Sequence, residues 1–217
     1  MTLALYGHLF SSYTWKAQIA LYANGTEFEF RALDQDHPEN AAFAAAASPQ
    51  GLFPVLVDGP ETVIEASSII EYLHLNHRGP APLLPDDPAE AIRTRMIDRL
   101  FDNYVMGIMQ QSVIEAIRTS GNPDPDVLAA VAAKLDRSYA WLDTWLAGYP
   151  LSDQITLIEC AAAPSLFYAD WVHQIPEHHT RLRAYRTHLL TLPPVKRCAD
   201  DARQFRHYFP LGAPDRD

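Results

Sequence analysis

The residues most suited to chemistry lie in a short polar turn near the start of the chain, Gly7-His8-Leu9-Phe10-Ser11-Ser12-Tyr13-Thr14-Trp15-Lys16. An apolar run, Leu3 to Tyr6, precedes it, and Trp15, Ile19 and Tyr22 follow at helical spacing. A helix that begins here leaves its first backbone amides without partners. With an adjacent serine hydroxyl, those amides make a site for an anion such as a thiolate. Ser11 and Ser12 also suit plain helix capping, and the turn alone leaves both readings open. Two later positions belong to the same half of the chain. Pro54 precedes the apolar run Val55-Leu56-Val57, and Glu65-Ala66-Ser67 precedes a helical stripe of Ile69, Ile70 and Leu73. Taken singly, Pro54 suits the first residue of an edge strand and Glu65 an ordinary first-turn glutamate. Metal chemistry is not indicated: there are nine histidines, but His74 with His77 and His178 with His179 have no third ligand placed by spacing.

The elements that position these residues follow from local pattern. After the first strand and helix, which stops at Gly25, Phe28 and Phe30 alternate with Glu27, Glu29 and Arg31 as a second strand. A β-α-β crossover of this kind makes the two strands parallel. The alanine-rich stretch Ala41 to Ala47 suits a short helix. Val55-Leu56-Val57 and Thr62-Val63-Ile64 pair as a hairpin around Asp58-Gly59, and a helix runs to about Asn76. Pro80, Pro82, Pro85 and Pro88 then forbid a continuing helix. Beyond this linker the pattern is helical throughout. One long stretch runs from Ala89 to about Arg118 with Ile92, Met96, Leu100, Tyr104 and Ile108 as its expected buried stripe, and another from Val127 to Leu146. Thr156-Leu157-Ile158-Glu159 is a capping box that starts a buried helix through Phe167 and Trp171. Two more helices are expected at about Glu177 to Leu192 and Val195 to Arg206. The domains expected are 1–78, a linker at 79–88, and 89–217.

Composition sets the outer limits. The 217 residues are 48% hydrophobic and 20% charged, enough to bury a core and unlike a disordered chain. Lys plus Arg is 17 against 27 Asp plus Glu, a formal net charge of −10, so nucleic acid is a poor partner. Without an apolar run of 18 residues or a secretory start, the expected location is cytoplasmic, with no membrane partner. Cys160 and Cys198 form no CxxC, so neither a disulfide scaffold nor a thiol redox pair is expected.

Taken together and in order, the motifs resemble the cytosolic glutathione S-transferase family. Leu5-Tyr6 with the Ser11 turn is one match. Ser48-Pro49-Gln50-Gly51-Leu52-Phe53-Pro54-Val55-Leu56 is similar to the family's Asn-Pro-x-Gly-Lys-Val-Pro-x-Leu run, and Glu65-Ala66-Ser67-Ser68-Ile69-Ile70-Glu71-Tyr72-Leu73 to its Glu-Ser-x-Ala-Ile-x-x-Tyr-Leu run. The Thr156 to Glu159 box and Leu192-Pro193-Pro194-Val195 complete a resemblance that spans nearly the whole chain. It implies a thioredoxin-like α/β N-terminal domain followed by an all-helical C-terminal domain, a homodimer, and a glutathione transferase acting in detoxification. Ser11, with Ser12 as alternative, would donate to the glutathione sulfur. Phe53, turned by a cis Pro54, would offer its backbone to the tripeptide. Glu65 and the amides of Ala66 and Ser67 would hold its γ-glutamyl end. Tyr13, Tyr104, Met106 and Met109 would wall the pocket for a small hydrophobic electrophile.

Two departures from the family bear on affinity. Leu52 stands where the family has Lys or Gln, and Ala66 where it has Ser. Each removes a polar contact of about 0.5–3 kcal/mol. A glutathione-transferase-like protein that binds without turnover is therefore an alternative reading. So is a glutathione-dependent isomerase with one physiological substrate. The Ser11 to Lys16 run is most similar to the Ser-Ser-x-Ser-Trp-Arg turn of the zeta class, whose enzymes isomerise maleylacetoacetate. Lys16 and Gln18 replace arginines of that pattern, which leaves the class open.

Overall fold

The computed structural model describes residues 3–217; Met1 and Thr2 of the expected first domain lie outside the described residues. Strand β1 (Ala4–Gly7) leads into helix α1 (Ser12–Ala23), β2 (Glu29–Ala32) and α2 (Pro38–Ala47). Strands β3 (Val55–Asp58) and β4 (Glu61–Ile64) and helix α3 (Ala66–Asn76) complete this half. The sheet order is β2-β1-β3-β4. As the β-α-β pattern requires, β1 and β2 are parallel, while β1 with β3 and β3 with β4 are antiparallel. Helix α1 ends where Gly25 takes φ +61, a conformation that costs glycine little. This is the thioredoxin-like part of the fold.

After residues 77–87, which hold neither helix nor strand, the chain is helical. The segments are α4 (Pro88–Leu100), a π-helical turn (Phe101–Met106), α5 (Gly107–Arg118), α6 (Pro125–Trp145), α7 (Leu157–Val172), α8 (Thr180–Thr191) and α9 (Pro193–Ala202). A 3-10 stretch, Arg203–Tyr208, completes the series. No described helix is long and apolar enough to cross a membrane. Asp87 and Asp124 cap α4 and α6 by accepting from Glu90 N and Asp126 N, and a proline occupies the first turn of each.

The start of α7 shows how a local motif nucleates the helical core. The Thr156 hydroxyl accepts from the Ile158 amide at 3.1 Å, and the Glu159 carboxylate accepts from the Thr156 amide at 2.9 Å. Tyr149 and Tyr185 donate to the other Glu159 oxygen at 2.7 and 3.1 Å, so this buried carboxylate is fully partnered. Nearly every residue of α7 is buried. Helix α1 packs against it: the Trp15 ring centroid lies 4.9 Å from that of Phe167, and one continuous core joins sheet and helices.

The long helical stretch departs from expectation in its rotation. Ile92, Met96 and Tyr104 face outward and Leu100 and Ile108 are half-buried, whereas Ala91, Ile97, Phe101, Val105 and Met109 turn inward. The inward set repeats every four residues from Ile97 to Met109 just as the expected one does, so spacing alone does not choose between the two faces; packing against α7 does. The inward face also carries charge, because Asp98 is fully buried there beside Lys16 of α1.

Candidate functional site

The turn between β1 and α1 is fixed at several points. A Cβ on Gly7 would lie 2.6 Å from the Thr14 side chain, so only glycine lets the strand end come this close to the helix start. Three side chains then hold the backbone of the turn. The Phe10 amide donates to His8 Nδ1 at 3.1 Å, Trp15 Nε1 donates to the Leu9 carbonyl at 2.6 Å, and the Tyr168 hydroxyl donates to the Phe10 carbonyl at 2.8 Å. An amide donor at Nδ1 requires a neutral His8 ring with its proton on Nε2. Burial lowers the His8 pKa below its usual value, against a smaller opposite pull from Asp34.

So held, Ser11 is the N-cap of α1, and its Oγ accepts from the Thr14 amide at 3.3 Å. Acceptance leaves the hydroxyl proton of Ser11 free to be donated elsewhere. Capping and anion binding, which the sequence set against each other, are therefore compatible in one residue.

Ser11 opens into a cavity of about 590 Å³, within the range of small-molecule sites. Tyr13, Phe53, Pro54, Glu65, Ala66 and Ser67 line it too. The Phe53–Pro54 bond is cis. Glu65 takes φ +69, a left-handed conformation that strains a non-glycine residue by about 1–3 kcal/mol. Its side chain does not cap α3, which starts at the next residue. The Ser67 hydroxyl is already engaged, accepting from Lys16 Nζ at 2.8 Å and donating to Asp98 at 2.9 Å. What Ser67 has left to offer the cavity is its backbone.

Behind that wall lies a charged cluster. Lys16, 1% exposed, pairs with Asp98 at 2.5 Å and with Asp102 at 2.6 Å, and Arg99 pairs with Asp98 at 2.6 Å. Asp102 lines the cavity with Arg99, Asn103 and Gln110. Burial raises the Asp102 pKa above the usual carboxylate value, opposed mainly by Lys16. The Tyr13 hydroxyl is pushed up to about 12, by burial first and then by Asp102, Glu65 and Asp98. At neutral pH Tyr13 is therefore a neutral donor.

A second cavity, about 230 Å³, adjoins the first. Phe10, Met109, Val113 and Phe209 give it apolar walls, and among the described residues no lysine or arginine lines it. Ser12 faces this side while Tyr13 faces the first cavity, since successive helical residues are turned by about 100°. Of the four residues read together as a pocket wall, Tyr13 lines the first cavity and Met109 the second. Met106 is 1% exposed and packs in the interhelical core. Tyr104 lines an outer groove with Arg137 and Trp141. Tyr104 and Met106 fall on the outward and inward faces of the helical run as its packing against α7 sets them.

Sequence reading missed Arg99, Asp102, Asn103 and Gln110 in the first cavity, and Tyr168, Tyr208, Phe209 and Pro210 in the second. A signal existed for one of them: Asp98 and Asp102 stand four apart on the same helical run as Ile97 and Phe101, where carboxylates need a buried cation. Among the described residues, no group of three or more His, Cys, Asp or Glu could hold a metal ion.

Comparison with known proteins bears on family and fold. Residues 5–81 match the family model described as glutathione S-transferase, N-terminal domain. An uncharacterized GST-like protein of Escherichia coli, YibF, is 32% identical over 175 residues, which is 79% of this chain and 84% of the relative. A maleylacetoacetate isomerase of Pseudomonas aeruginosa is 26% identical over 220 residues, 97% of each chain. Among solved structures, a maleylacetoacetate isomerase from Anaeromyxobacter dehalogenans with bound GSH superposes with a TM-score of 0.72 at 25% identity, covering 99% of this chain and 97% of that one. Glutathione transferase F2 of Populus trichocarpa gives a TM-score of 0.81 at 15% identity, covering 93% and 99%.

Proposed function

Since the chain belongs to the glutathione S-transferase family, we propose that it binds glutathione in the larger cavity and joins its sulfur to a small apolar electrophile held in the smaller one. The observation that carries this reading is the position of Ser11, which lines both cavities with its hydroxyl proton uncommitted. Ser11 donates that proton to the sulfur and favours the thiolate, aided by the amide-rich N-terminus of α1. A hydrogen bond to a charged partner contributes about 1.5–3 kcal/mol. At about 1.36 kcal/mol per pKa unit, that lowers a thiol from about 8.5 by roughly one to two units, into the neutral range. Ser12 faces only the second cavity, which favours Ser11 as the donor.

Phe53 offers backbone groups to the tripeptide, and the amides that open α3 at Ala66 and Ser67 hold its γ-glutamyl carboxylate. Glu65 and Asp102 place negative charge beside its ammonium. The apolar lining of the second cavity suits a neutral electrophile. Residues 1–78 supply most of the glutathione site in this reading, and 89–217 most of the electrophile site, in a cytoplasmic protein.

The isomerase reading has in its favour the matches along the chain to two maleylacetoacetate isomerases, one a sequence relative and one a solved structure. Against it, the second cavity lacks a cation for a second carboxylate. A homodimer is part of the proposal, supported by the outward apolar stripe of Ile92, Met96 and Tyr104 on α4 and the turn after it. Light scattering would read twice the chain mass.

Titration with glutathione, following heat and thiolate absorbance together, tests the central claim. Saturable binding with the thiol pKa lowered below its free value is the expected result. Binding without that shift would favour a non-catalytic role, and no binding at millimolar glutathione would mean that Leu52 and Ala66 have cost the site its ligand.

A further inference from the structure

Among the described residues, the two common to the linings of both cavities are Ser11 and Gln110. Ser11 is the N-cap of α1 and Gln110 comes from α5, so the seam between the cavities has one hydroxyl and one carboxamide. The next residue along, Gln111, spends its amide on the Gly107 carbonyl and its oxygen on Lys134. The half-buried carboxamide of Gln110 has no such bond among the described residues.

The other polar groups at the second cavity are less suited to serve a reacting atom. Tyr168 has committed its hydroxyl to Phe10, Tyr208 is largely exposed, and Ser12 does not reach the first cavity. An electrophilic carbon must come within about 3–3.5 Å of the sulfur to react. An oxygen conjugated to that carbon therefore lies near the seam, within reach of a donor that borders both cavities.

We propose that Gln110 is a catalytic residue of this enzyme, donating an Nε2 hydrogen to the oxygen on which negative charge develops when the thiolate adds to an α,β-unsaturated ketone. This rests on the thiolate reading of Ser11. In the step, the sulfur lone pair forms the S–C bond to the β-carbon, the C=C pair moves to the α-carbon and carbonyl, and the oxygen becomes an enolate. Gln110 hydrogen-bonds that oxygen without giving up its proton. Water then protonates the α-carbon and leaves hydroxide, which takes up the proton that the thiol released earlier. Substrates of this class would be preferred over those that expel a halide from a saturated carbon, where no oxygen gains charge.

The test compares wild type with Gln110→Ala and Gln110→Glu, using an enone and benzyl chloride as electrophiles and glutathione as thiol. The first variant removes the donor, and the second places a carboxylate against the developing charge. With the enone, kcat should fall about 10- to 100-fold in Gln110→Ala and further in Gln110→Glu, the scale of losing one such donor in a partly open site. With benzyl chloride, kcat of Gln110→Ala should change less than about threefold, and its glutathione KM should stay within about twofold of wild type. Equal losses on both electrophiles, an unchanged enone rate, or a raised glutathione KM would each overturn the assignment. Failure of the underlying reading looks different: wild type itself would turn over neither electrophile, before any variant is made.

Discussion

Replacing Lys16 with Met should test how the fold builds the back wall of its site. Lys16 is 1% exposed and pairs with Asp98, fully buried, and with Asp102, 17% exposed. Methionine keeps the length of the stem but leaves two carboxylates facing each other with Arg99 and Ser67 as remaining partners. Removing one member of a buried ion pair typically costs about 3–5 kcal/mol, because the partner charge is stranded. For a chain of this size each kcal/mol shifts Tm by about 2–4 °C, so the fall should be about 6–20 °C. Burial already raises the Asp102 pKa, and without Lys16 its main opposing charge is gone, so the folded state binds the extra proton. The deficit relative to wild type should therefore be full at neutral pH and shrink as pH falls toward about 4. Scanning calorimetry at several pH values measures both effects. Adding Asp98→Asn and Asp102→Asn should recover much of the loss, since the cost lies in unpaired charge and not in the missing ammonium. A Tm fall under about 2 °C, or a deficit independent of pH, would refute this account of the wall.

Three other outcomes come from the same geometry. Ser11→Ala should lower kcat/KM at least tenfold, about 1.4 kcal/mol of transition-state stabilisation, and also lose about 0.5–2 kcal/mol of stability with the cap to Thr14; unchanged activity would move the sulfur donor to Ser12 or the backbone. His8→Gln removes a ring whose pKa is lowered on folding, mainly by burial. In wild type that ring loses stability for the protein as pH drops through 6.5, its unfolded value, down to its lowered folded value. Denaturant midpoints of wild type minus variant should fall across that window, and parallel curves would show that His8 does not titrate as described. Thr156→Ala should lower stability by about 0.5–2 kcal/mol in urea unfolding by opening the α7 cap, and a negligible change would mean that Tyr149 and Tyr185 hold Glu159 unaided.

Much of the site's scaffold was legible before any coordinates, for a local reason. Strand alternation, helical spacing, the Gly25 stop, the capping box and the proline linker are written in neighbours a few residues apart, and backbone stereochemistry turns them into elements with little outside help. Ser11, Phe53, Pro54, Glu65, Ala66 and Ser67, singled out by the family resemblance, each sit at the edge of such an element and line one cavity. The phase of the helical run after the linker was not legible. Two apolar stripes share its four-residue spacing, one through Ile92 and Met96 and one through Ile97, Phe101, Val105 and Met109, and only packing against α7 selects the second.

The sequence by itself determined the order of the elements, their caps and breaks, and the turn that presents Ser11. The tertiary structure decided which charges would be buried and which residues would meet across the two cavities. Lys16 and Asp102 lie 86 residues apart, and Tyr168 holds a carbonyl of the Ser11 turn from 158 residues away. The pairing of Ser11 with Gln110 at the seam, like the apolar wall supplied by Phe209, exists only once α1, α5 and the end of the chain pack around one core. Local propensity carries no information about such encounters, because the energy that selects them is the burial and charge pairing of the whole assembled chain.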